Sequence, residues 1–301
     1  MADKDFAALG LALRNDGFCV ARGLLPADLI AALRAHAARI VPTIDDAHRA
    51  RNRSQGSLVQ LAEHPEFAEV IGAPALLAAF AGFGFADTRY SGGYLISKPP
   101  HSPALFWHQD WWGWDDPISY TAAIAQVFVM IYLTDTSPAN GCLRVIPGSH
   151  RRRHPLHAAL QAHDERLSRV EDPGDPLYQP RDDAVPVPVA AGDVVFGDAR
   201  LLHATHPNDS DAERSLLTLW FHPNHGTLPA AMRMTIRQVY ERRTGDTDPA
   251  GPEPMTIDDW PEAARRRIAP VQLPPISGVA PHPWNRIPHW LGAEGMQPAG
   301  G

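Results

Sequence analysis

The chain has little cysteine: Cys19 and Cys142 are its only two among 301 residues. Two cysteines offer no disulfide framework, and neither lies in a paired-cysteine metal motif. A reducing compartment is therefore the default expectation, and we assign the protein to the cytoplasm.

The sequence also lacks an excess of positive charge and a long hydrophobic run. Its formal charge of -7 at pH 7 disfavours nucleic acid as the main partner, because phosphate binding needs a basic surface. The longest apolar run, roughly 122–133, is too short to span a bilayer. The first five residues mix charges and lead into no long apolar segment, so we expect neither a secretory signal nor a membrane span.

The remaining composition is that of a globular protein with a sizeable core, since 44% of residues are hydrophobic and 20% are charged. Hydrophobic spacing predicts a mainly helical N-terminal layer over 1–85 and helix signals in a C-terminal extension over 223–301. Between them, 86–222 alternates β-branched and aromatic runs with Gly, Pro, Asn and Asp, which is typical of strands and turns. Barrels of this length are often one domain, so we expect a single domain over 1–301.

The most informative stretch is Trp107-His108-Gln109-Asp110, in which polar side chains interrupt an aromatic run. If it is a strand, alternation places His108 and Asp110 on the same face. An imidazole and a carboxylate projecting together make two-thirds of the two-histidine, one-carboxylate site of non-haem Fe(II) oxygenases. Alone, the pattern is also compatible with a structural His–Asp hydrogen bond.

The third ligand is expected on a late strand, where His203 and His206 are both candidates. Arg214 follows and opens an apolar strand. An arginine inside a barrel is costly unless it meets a carboxylate, which its planar fork can grip at two points. Iron together with an inward arginine implies a small dicarboxylate such as 2-oxoglutarate. We favour His203 as the ligand, because Pro207 suggests that the chain is already leaving the strand at His206.

Four pieces of the sequence together resemble the phytanoyl-CoA dioxygenase family of Fe(II)/2-oxoglutarate-dependent oxygenases. In chain order they are Lys98-Pro99-Pro100, His108-Gln109-Asp110, the block from Asn140-Gly141-Cys142-Leu143 to Pro147-Gly148-Ser149-His150, and His203 with Asn208 and Arg214. The resemblance covers roughly 89–221. It implies a double-stranded β-helix, or jelly roll, so the expected fold is mainly β with flanking N-terminal and C-terminal helices.

The resemblance also implies the cofactors and several site residues. His108, Asp110 and His203 would bind Fe(II), Arg214 would bind 2-oxoglutarate, and O2 would be the second co-substrate, with ascorbate supporting turnover in vitro. Thr205 stands close behind His203, where the family usually has serine, and is carried over as a 2-oxoglutarate contact. Lys98 is either a further 2-oxoglutarate contact or a solvated side chain, and both alternatives stay open.

The resemblance favours hydroxylation of an unactivated C–H bond in a small molecule, of secondary-metabolite or lipid-like character, with release of succinate and CO2. Desaturation, cyclisation or epimerisation at the same iron is the alternative. Halogenation is disfavoured because Asp110 fills the position where related halogenases have a small residue. Trp111, Trp112 and Trp114 are candidate substrate contacts beside the iron, although tryptophans in such a run also serve as core or lid packing.

Two hypotheses from other functional classes remain open from the sequence. The first is a metal-binding jelly roll without oxygenase activity, which would not need Arg214. The second is a catalytically silent binding protein, which would not need all three candidate ligands. The formation of succinate from 2-oxoglutarate discriminates both from an oxygenase.

Overall fold

A computed structural model describes residues 5–159, 164–241 and 255–289 of the chain. The strands, in chain order, are β1 Phe18–Ala21, β2 Val59–Gln60, β3 Arg89–Lys98, β4 Leu105–His108, β5 Val127–Tyr132, β6 Leu143–Val145, β7 Val185–Val187, β8 Val194–Asp198, β9 His203–Thr205 and β10 Arg214–His222. The helices are α1 Phe6–Asp16, α2 Ala27–Ile40, α3 Asp46–Arg51, α4 Ala68–Ile71, α5 Pro74–Gly82, α6 Leu156–Ala159, α7 Glu165–Arg169, α8 Ala230–Glu241 and α9 Glu262–Ile268.

The strands form two antiparallel sheets that face each other. The large sheet has the order β1-β8-β5-β10-β3-β2, and the small sheet has the order β4-β9-β6-β7. Most neighbouring strands in these orders are not consecutive in the chain, as in a jelly roll. Strand β7, which contains Pro186, lies at an edge where a missing backbone N–H is tolerated. The expected fold, a jelly roll with helices before and after the strands, is confirmed.

The interior between the sheets is built from alternate residues of each strand. On the large sheet, Tyr132 and Leu216 pair across β5 and β10 and pack with the inner residues of the small sheet, Leu143 and Val145. The opposite face of the large sheet carries Leu217, Leu219 and Phe221 and packs on the helical layer. The large sheet is therefore apolar on both faces, as the apolar run of β5 indicated.

The helical layer contains one strongly apolar segment. Among the described residues, Pro65–Gly82 is long and apolar enough to cross a membrane by length and composition alone, with a mean hydropathy of 1.2 over 18 residues. It is not one uninterrupted helix, since a short 3-10 turn, α4 and α5 divide it. Its Phe80 ring packs at 5.4 Å from Phe196 and 5.0 Å from Phe221 of the large sheet. Part of its apolar surface is thus used in the protein core.

The C-terminal extension packs on the large sheet and the N-terminal helical layer. After β10 the chain forms α8 and α9, and residues 281–289, called the strap below, run beside the segment that follows β4. The helix signals expected in this extension correspond to α8 and to a 3-10 turn followed by α9.

Candidate active site

The side chains of His108, Asp110 and His203 converge between the two sheets. His108 ends β4, His203 begins β9, and the two are direct partners in the register of the small sheet. Their ring centroids are 4.1 Å apart, and the Asp110 carboxylate lies 3.7 Å from Nε2 of His108 and 3.9 Å from Nε2 of His203. One donor atom from each residue falls within 4.8 Å of the others, and all three residues are buried.

Both imidazoles are held with Nε2 directed at the cluster. Nδ1 of His108 lies 3.0 Å from the carbonyl of Phe106, and Nδ1 of His203 lies 2.9 Å from the carbonyl of Leu201. A carbonyl can only accept, so Nδ1 carries the proton and Nε2 keeps its lone pair. Nε2 of His203 is buried without a hydrogen-bond partner among the described residues. Such fixed tautomers are typical of metal-binding histidines.

Asp110 reaches this position from a loop, not from a strand. β4 ends at His108, so the expectation that strand alternation aligns His108 with Asp110 was wrong in its mechanism. Asp110 is held by its backbone N–H, which donates to the carbonyl of Ala199 at 2.8 Å. Its Oδ2 also accepts a 2.8 Å hydrogen bond from the indole N–H of Trp220. The carboxylate is therefore oriented from two sides.

The carbonyl of Ala199 belongs to a tight turn between β8 and β9. In this turn Asp198 and Arg200 form a buried, two-point ion pair, with Nη2 to Oδ2 at 2.6 Å and Nε to Oδ1 at 2.9 Å. Arg200 also donates to the carbonyls of Ser119 and Thr121. The turn thus fixes the approach to His203 and the loop of Asp110 together.

At the other end of the inner surface lie two buried cations. Arg214 begins β10 opposite Lys98, the last residue of β3, and the two side chains are 2% and 0% exposed. The Lys98 ammonium donates to the carbonyl of Ser54 at 2.7 Å, while Nε and Nη1 of Arg214 have no hydrogen-bond partner among the described residues. The solvated alternative for Lys98 is therefore wrong.

No acidic side chain within the described part of the chain forms an ion pair with Lys98 or Arg214. Burial, together with the charges of Arg214 and Arg144, holds the pKa of Lys98 well below its usual value, and burial also lowers the pKa of Arg214. Gly141, with φ of +86°, turns directly over the pair, where a side chain would contact both. Two buried cations without a counter-ion favour the binding of an anion.

Thr205 and Tyr132 lie between the two ends. Thr205 shares the inner face of β9 with His203, and its hydroxyl is 3.4 Å from the backbone N–H of Leu105. The guanidinium carbon of Arg214 lies 5.8 Å from the centre of the Tyr132 ring. Burial raises the pKa of Tyr132 to about 12, so the Tyr132 hydroxyl stays neutral.

Trp111, Trp112 and Trp114 are placed in the main core rather than with the metal-ligand candidates. All three are at most 3% exposed. Trp111 donates to Ser119 and packs on Trp112, which packs on Trp284 of the strap. This arrangement favours the core-packing alternative for these tryptophans over contact with substrate.

Trp220 and Arg286 lie near the cluster but were not among the site residues predicted from the sequence. Trp220 sits on the apolar strand β10, where alternation with Arg214 could have placed it on the inner face. Arg286 lies in the strap, and its position depends on how the C-terminal extension folds back, which no local pattern reveals. His206 leaves β9 as expected and is outside the three-residue cluster.

The residues present fit the iron and 2-oxoglutarate that the sequence resemblance implies. Together, His108, Asp110 and His203 offer the two nitrogen atoms and one carboxylate oxygen of a facial triad. Nε2 of His203, which has no hydrogen-bond partner among the described residues, is one of these nitrogen atoms. The counter-ion-free Arg214 and Lys98 fit the distal carboxylate of a dicarboxylate.

Comparisons with known proteins give the same family. The model of the phytanoyl-CoA dioxygenase (PhyH) family matches residues 13–216, more than half of the chain. An ectoine dioxygenase of Nocardia farcinica is 25% identical over 229 residues, which cover 71% of this chain and 76% of that protein. For four further curated relatives, the matching region spans less than half of the relative's length.

Solved structures with the same fold include two enzymes of nogalamycin biosynthesis. The epimerase SnoN, in complex with Fe3+, alpha ketoglutarate and nogalamycin RO, has a TM-score of 0.55 and 20% identity, with 84% of this chain and 96% of SnoN covered. The carbocyclase SnoK has a TM-score of 0.52 and 23% identity, with 72% of this chain and 83% of SnoK covered. The family match and the site geometry agree: the chain belongs to the phytanoyl-CoA dioxygenase family and is an Fe(II)/2-oxoglutarate-dependent dioxygenase.

Proposed function

We propose that His108, Asp110 and His203 bind Fe(II), and that Arg214 and Lys98 bind the distal carboxylate of 2-oxoglutarate. The observation that carries this assignment is that two kinds of unsatisfied group face the interior between the sheets: Nε2 of His203 has no hydrogen-bond partner, and Arg214 and Lys98 have no counter-ion, among the described residues. Thr205, between them, contacts the bound co-substrate. When bound, the iron and the keto acid supply the activation of O2 for C–H oxidation.

The chain's own residues then have separate tasks. Phe106 and Leu201 carbonyls hold the two imidazoles in the ligand tautomer, and Trp220 orients the Asp110 carboxylate. Arg214 and Lys98 fix the direction of the dicarboxylate, so that its keto end faces the three ligands. Apolar walls such as Phe128, which packs 4.7 Å from His203, restrict water around the site.

We further propose that the primary substrate is a small organic molecule and that the reaction is hydroxylation of an unactivated C–H bond. Desaturation, cyclisation and epimerisation use the same residues and remain the alternatives, and the fold itself also occurs in an epimerase and a carbocyclase. Incorporation of an oxygen atom from labelled O2 into the product separates hydroxylation from these outcomes. A cytoplasmic location and a single domain over 1–301 stay predictions.

The direct test is anaerobic titration of the purified protein with Fe(II) and then 2-oxoglutarate. A keto acid that chelates ferrous iron gives a weak visible charge-transfer band, and on admission of O2 with ascorbate the mixture should form succinate. Arg214→Ala should weaken 2-oxoglutarate binding by at least about tenfold, because a charge-assisted pair is lost, while iron binding survives. A wild-type protein that gives neither the band nor calorimetric binding would rule out this function.

A further inference from the structure

The strap is fastened along the loop that carries the metal-ligand candidate Asp110. The backbone N–H of Asn285 donates to the carbonyl of Trp112 at 2.8 Å, and the N–H of Trp114 donates to the carbonyl of Asn285 at 3.2 Å. The side chain of Gln109, between His108 and Asp110 in the sequence, donates to the carbonyl of Arg286 at 2.9 Å. Arg286 is thereby fixed beside the candidate iron site.

The guanidinium of Arg286 is directed inward and is incompletely paired. Its carbon lies 5.2 Å from the ring centre of Trp284, which supports one face of the group. Its Nη1 is buried and has no hydrogen-bond partner among the described residues. Within the same residues, no carboxylate comes within 4.0 Å of its nitrogen atoms to form an ion pair. An unsatisfied buried donor of this kind is costly and indicates a missing partner.

The surroundings of Arg286 indicate where that partner would lie. Arg286 is held next to Asp110 by its own carbonyl, which accepts a hydrogen bond from the side chain of Gln109, the residue that precedes Asp110. Tyr94 is half-buried on the inner face of β3, and its ring packs at 5.6 Å from Trp220, the indole that orients Asp110. Arg286 therefore belongs to the surroundings of the candidate metal ligands.

There is open space next to these residues. Gly92 lies opposite Trp220 in the sheet register and two residues from Tyr94, hence on the same face. A Cβ added at Gly92 would meet no atom of the described residues within 4 Å. Gly92, Tyr94 and Trp220 are all partly exposed, so a small molecule can reach this part of the inner surface.

The co-substrate carboxylate cannot be the missing partner, because its candidate partners are elsewhere. Lys98, opposite Arg214, is four residues beyond Tyr94 on β3, which is about 13 Å along the strand. A five-carbon dicarboxylate held by Arg214 and chelating iron through its keto end has both carboxylates engaged, the distal one by Arg214 and the other by the iron.

We infer that Arg286 binds a carboxylate of the primary substrate and holds it over the open space at Gly92, next to the iron. The planar guanidinium, backed by Trp284, offers a carboxylate two parallel hydrogen bonds. The substrate class is thus a small organic acid. This inference rests on the proposed function, because it takes the substrate side of the site to be the side of Asp110 that faces Arg286.

The test uses the full-length protein loaded anaerobically with Fe(II) and 2-oxoglutarate, with the charge-transfer band as the readout. The probes are matched pairs that differ only in charge: benzoate and benzamide, cyclohexanecarboxylate and cyclohexanecarboxamide, and L-proline and L-prolinamide. We expect at least one acid to shift the band with an affinity about tenfold or more above that of its amide. Arg286→Gln should remove this preference while leaving the weak binding of the amide unchanged.

Arg237→Gln is the matched control, because Arg237 also lies in the C-terminal extension but pairs with Glu241 and Asp258 away from the site. It should keep the preference for acids. The inference is overturned if no acid is preferred over its amide in the wild type, or if Arg286→Gln keeps the preference. It is also overturned if Arg286→Gln instead weakens Fe(II) binding, which would make Arg286 a positioning residue for Asp110. Failure of the proposed function would appear earlier, as absence of the band before any probe is added.

Discussion

His203 and His206 differ in what surrounds their imidazoles, and this difference predicts opposite results of substitution. His203 is 1% exposed, its Nδ1 donates a hydrogen bond to the carbonyl of Leu201, and its Nε2 faces Asp110. His206 lies outside β9 and is only partly buried. We expect His203→Ala to abolish succinate formation and strongly weaken Fe(II) binding, measured by calorimetry, whereas His206→Ala should retain both. The reverse result would move the metal ligand, and with it the register of β9 and β10.

Trp220 offers a test of how the metal carboxylate is oriented. Its indole N–H donates to Oδ2 of Asp110 at 2.8 Å, and loss of such a supporting bond typically lowers metal affinity by about 10–100-fold. Trp220→Phe keeps an aromatic ring and removes the donor, so we expect weaker Fe(II) binding with the fold retained by circular dichroism.

Trp107→Phe is the matched control for Trp220→Phe. The indole of Trp107 also makes a 3.0 Å hydrogen bond, to the carbonyl of Gln179, but it packs behind the small sheet with Phe106. This control should keep the affinity for Fe(II). Equal losses in the two variants would mean that the effect of Trp220→Phe comes from general destabilisation.

The sequence predicted the roles of those residues whose environment depends on nearby sequence, and failed where distant segments of the chain determine the environment. The family resemblance, together with the turn signal at Pro207, indicated His203 and Arg214 as site residues, and both are buried between the sheets. Lys98 was undecidable, because a lysine before two prolines is usually solvated, and only the pairing of β3 with β10 shows that it is buried. The tryptophans beside Asp110 could not be separated into core and site without the strap that packs on Trp112.

At the scale of elements, the turn that joins β8 to β9 positions the candidate site and also contributes to the stability of the protein at low pH. Burial alone would raise the pKa of Asp198, but the charge of Arg200 and its hydrogen bonds outweigh burial and hold the pKa below its usual value. A carboxyl whose pKa is lowered on folding stabilises the protein above its unfolded pKa of about 3.9, and this contribution is lost as the pH falls through the folded pKa.

Replacement of Asp198 by Asn should therefore reduce stability at neutral pH and flatten its acid dependence. Breaking a buried pair typically costs about 3–5 kcal/mol, which urea unfolding at pH 7 and below pH 4 can measure. Arg166→Gln breaks the Asp164–Arg166 pair, which has the same two-residue spacing but is solvent-exposed, and should change stability far less. An Asp198→Asn variant as stable as wild type at pH 7 would contradict this role for the turn.

Most elements were predictable because hydrophobic period and turn residues agree within each segment. Helices α1 to α5 precede β3, the main strands lie within 86–222, and α8 and α9 follow them, as the sequence indicated. Asp110 is the instructive exception. Alternation placed it correctly beside His108, but the strand stops one residue after Trp107, and the loop conformation is imposed by the carbonyl of Ala199 from a distant turn.

At the scale of the whole molecule, the C-terminal extension is built into the N-terminal helical layer. The carbonyl of Arg267 in α9 approaches α4 so closely that a Cβ on Gly72 would lie 2.0 Å from it. Trp260 is 2% exposed and donates its indole N–H to the carbonyl of Ala62 at 2.6 Å. The first and last parts of the described chain therefore share one core, which supports the prediction of a single domain.

If the chain is a single domain, damage in the extension must lower the stability of the whole protein. Trp260→Ala removes a buried indole and should cost about 3–5 kcal/mol. We expect one cooperative thermal transition in both proteins, shifted to lower temperature in the variant and monitored in parallel by circular dichroism and by loss of the charge-transfer band. Trp284→Ala, at a strap residue that is 44% exposed, is the control and should shift the transition much less. Two separate transitions in the Trp260→Ala variant, with the band surviving the first, would show instead that the extension unfolds on its own and that the jelly roll does not depend on it.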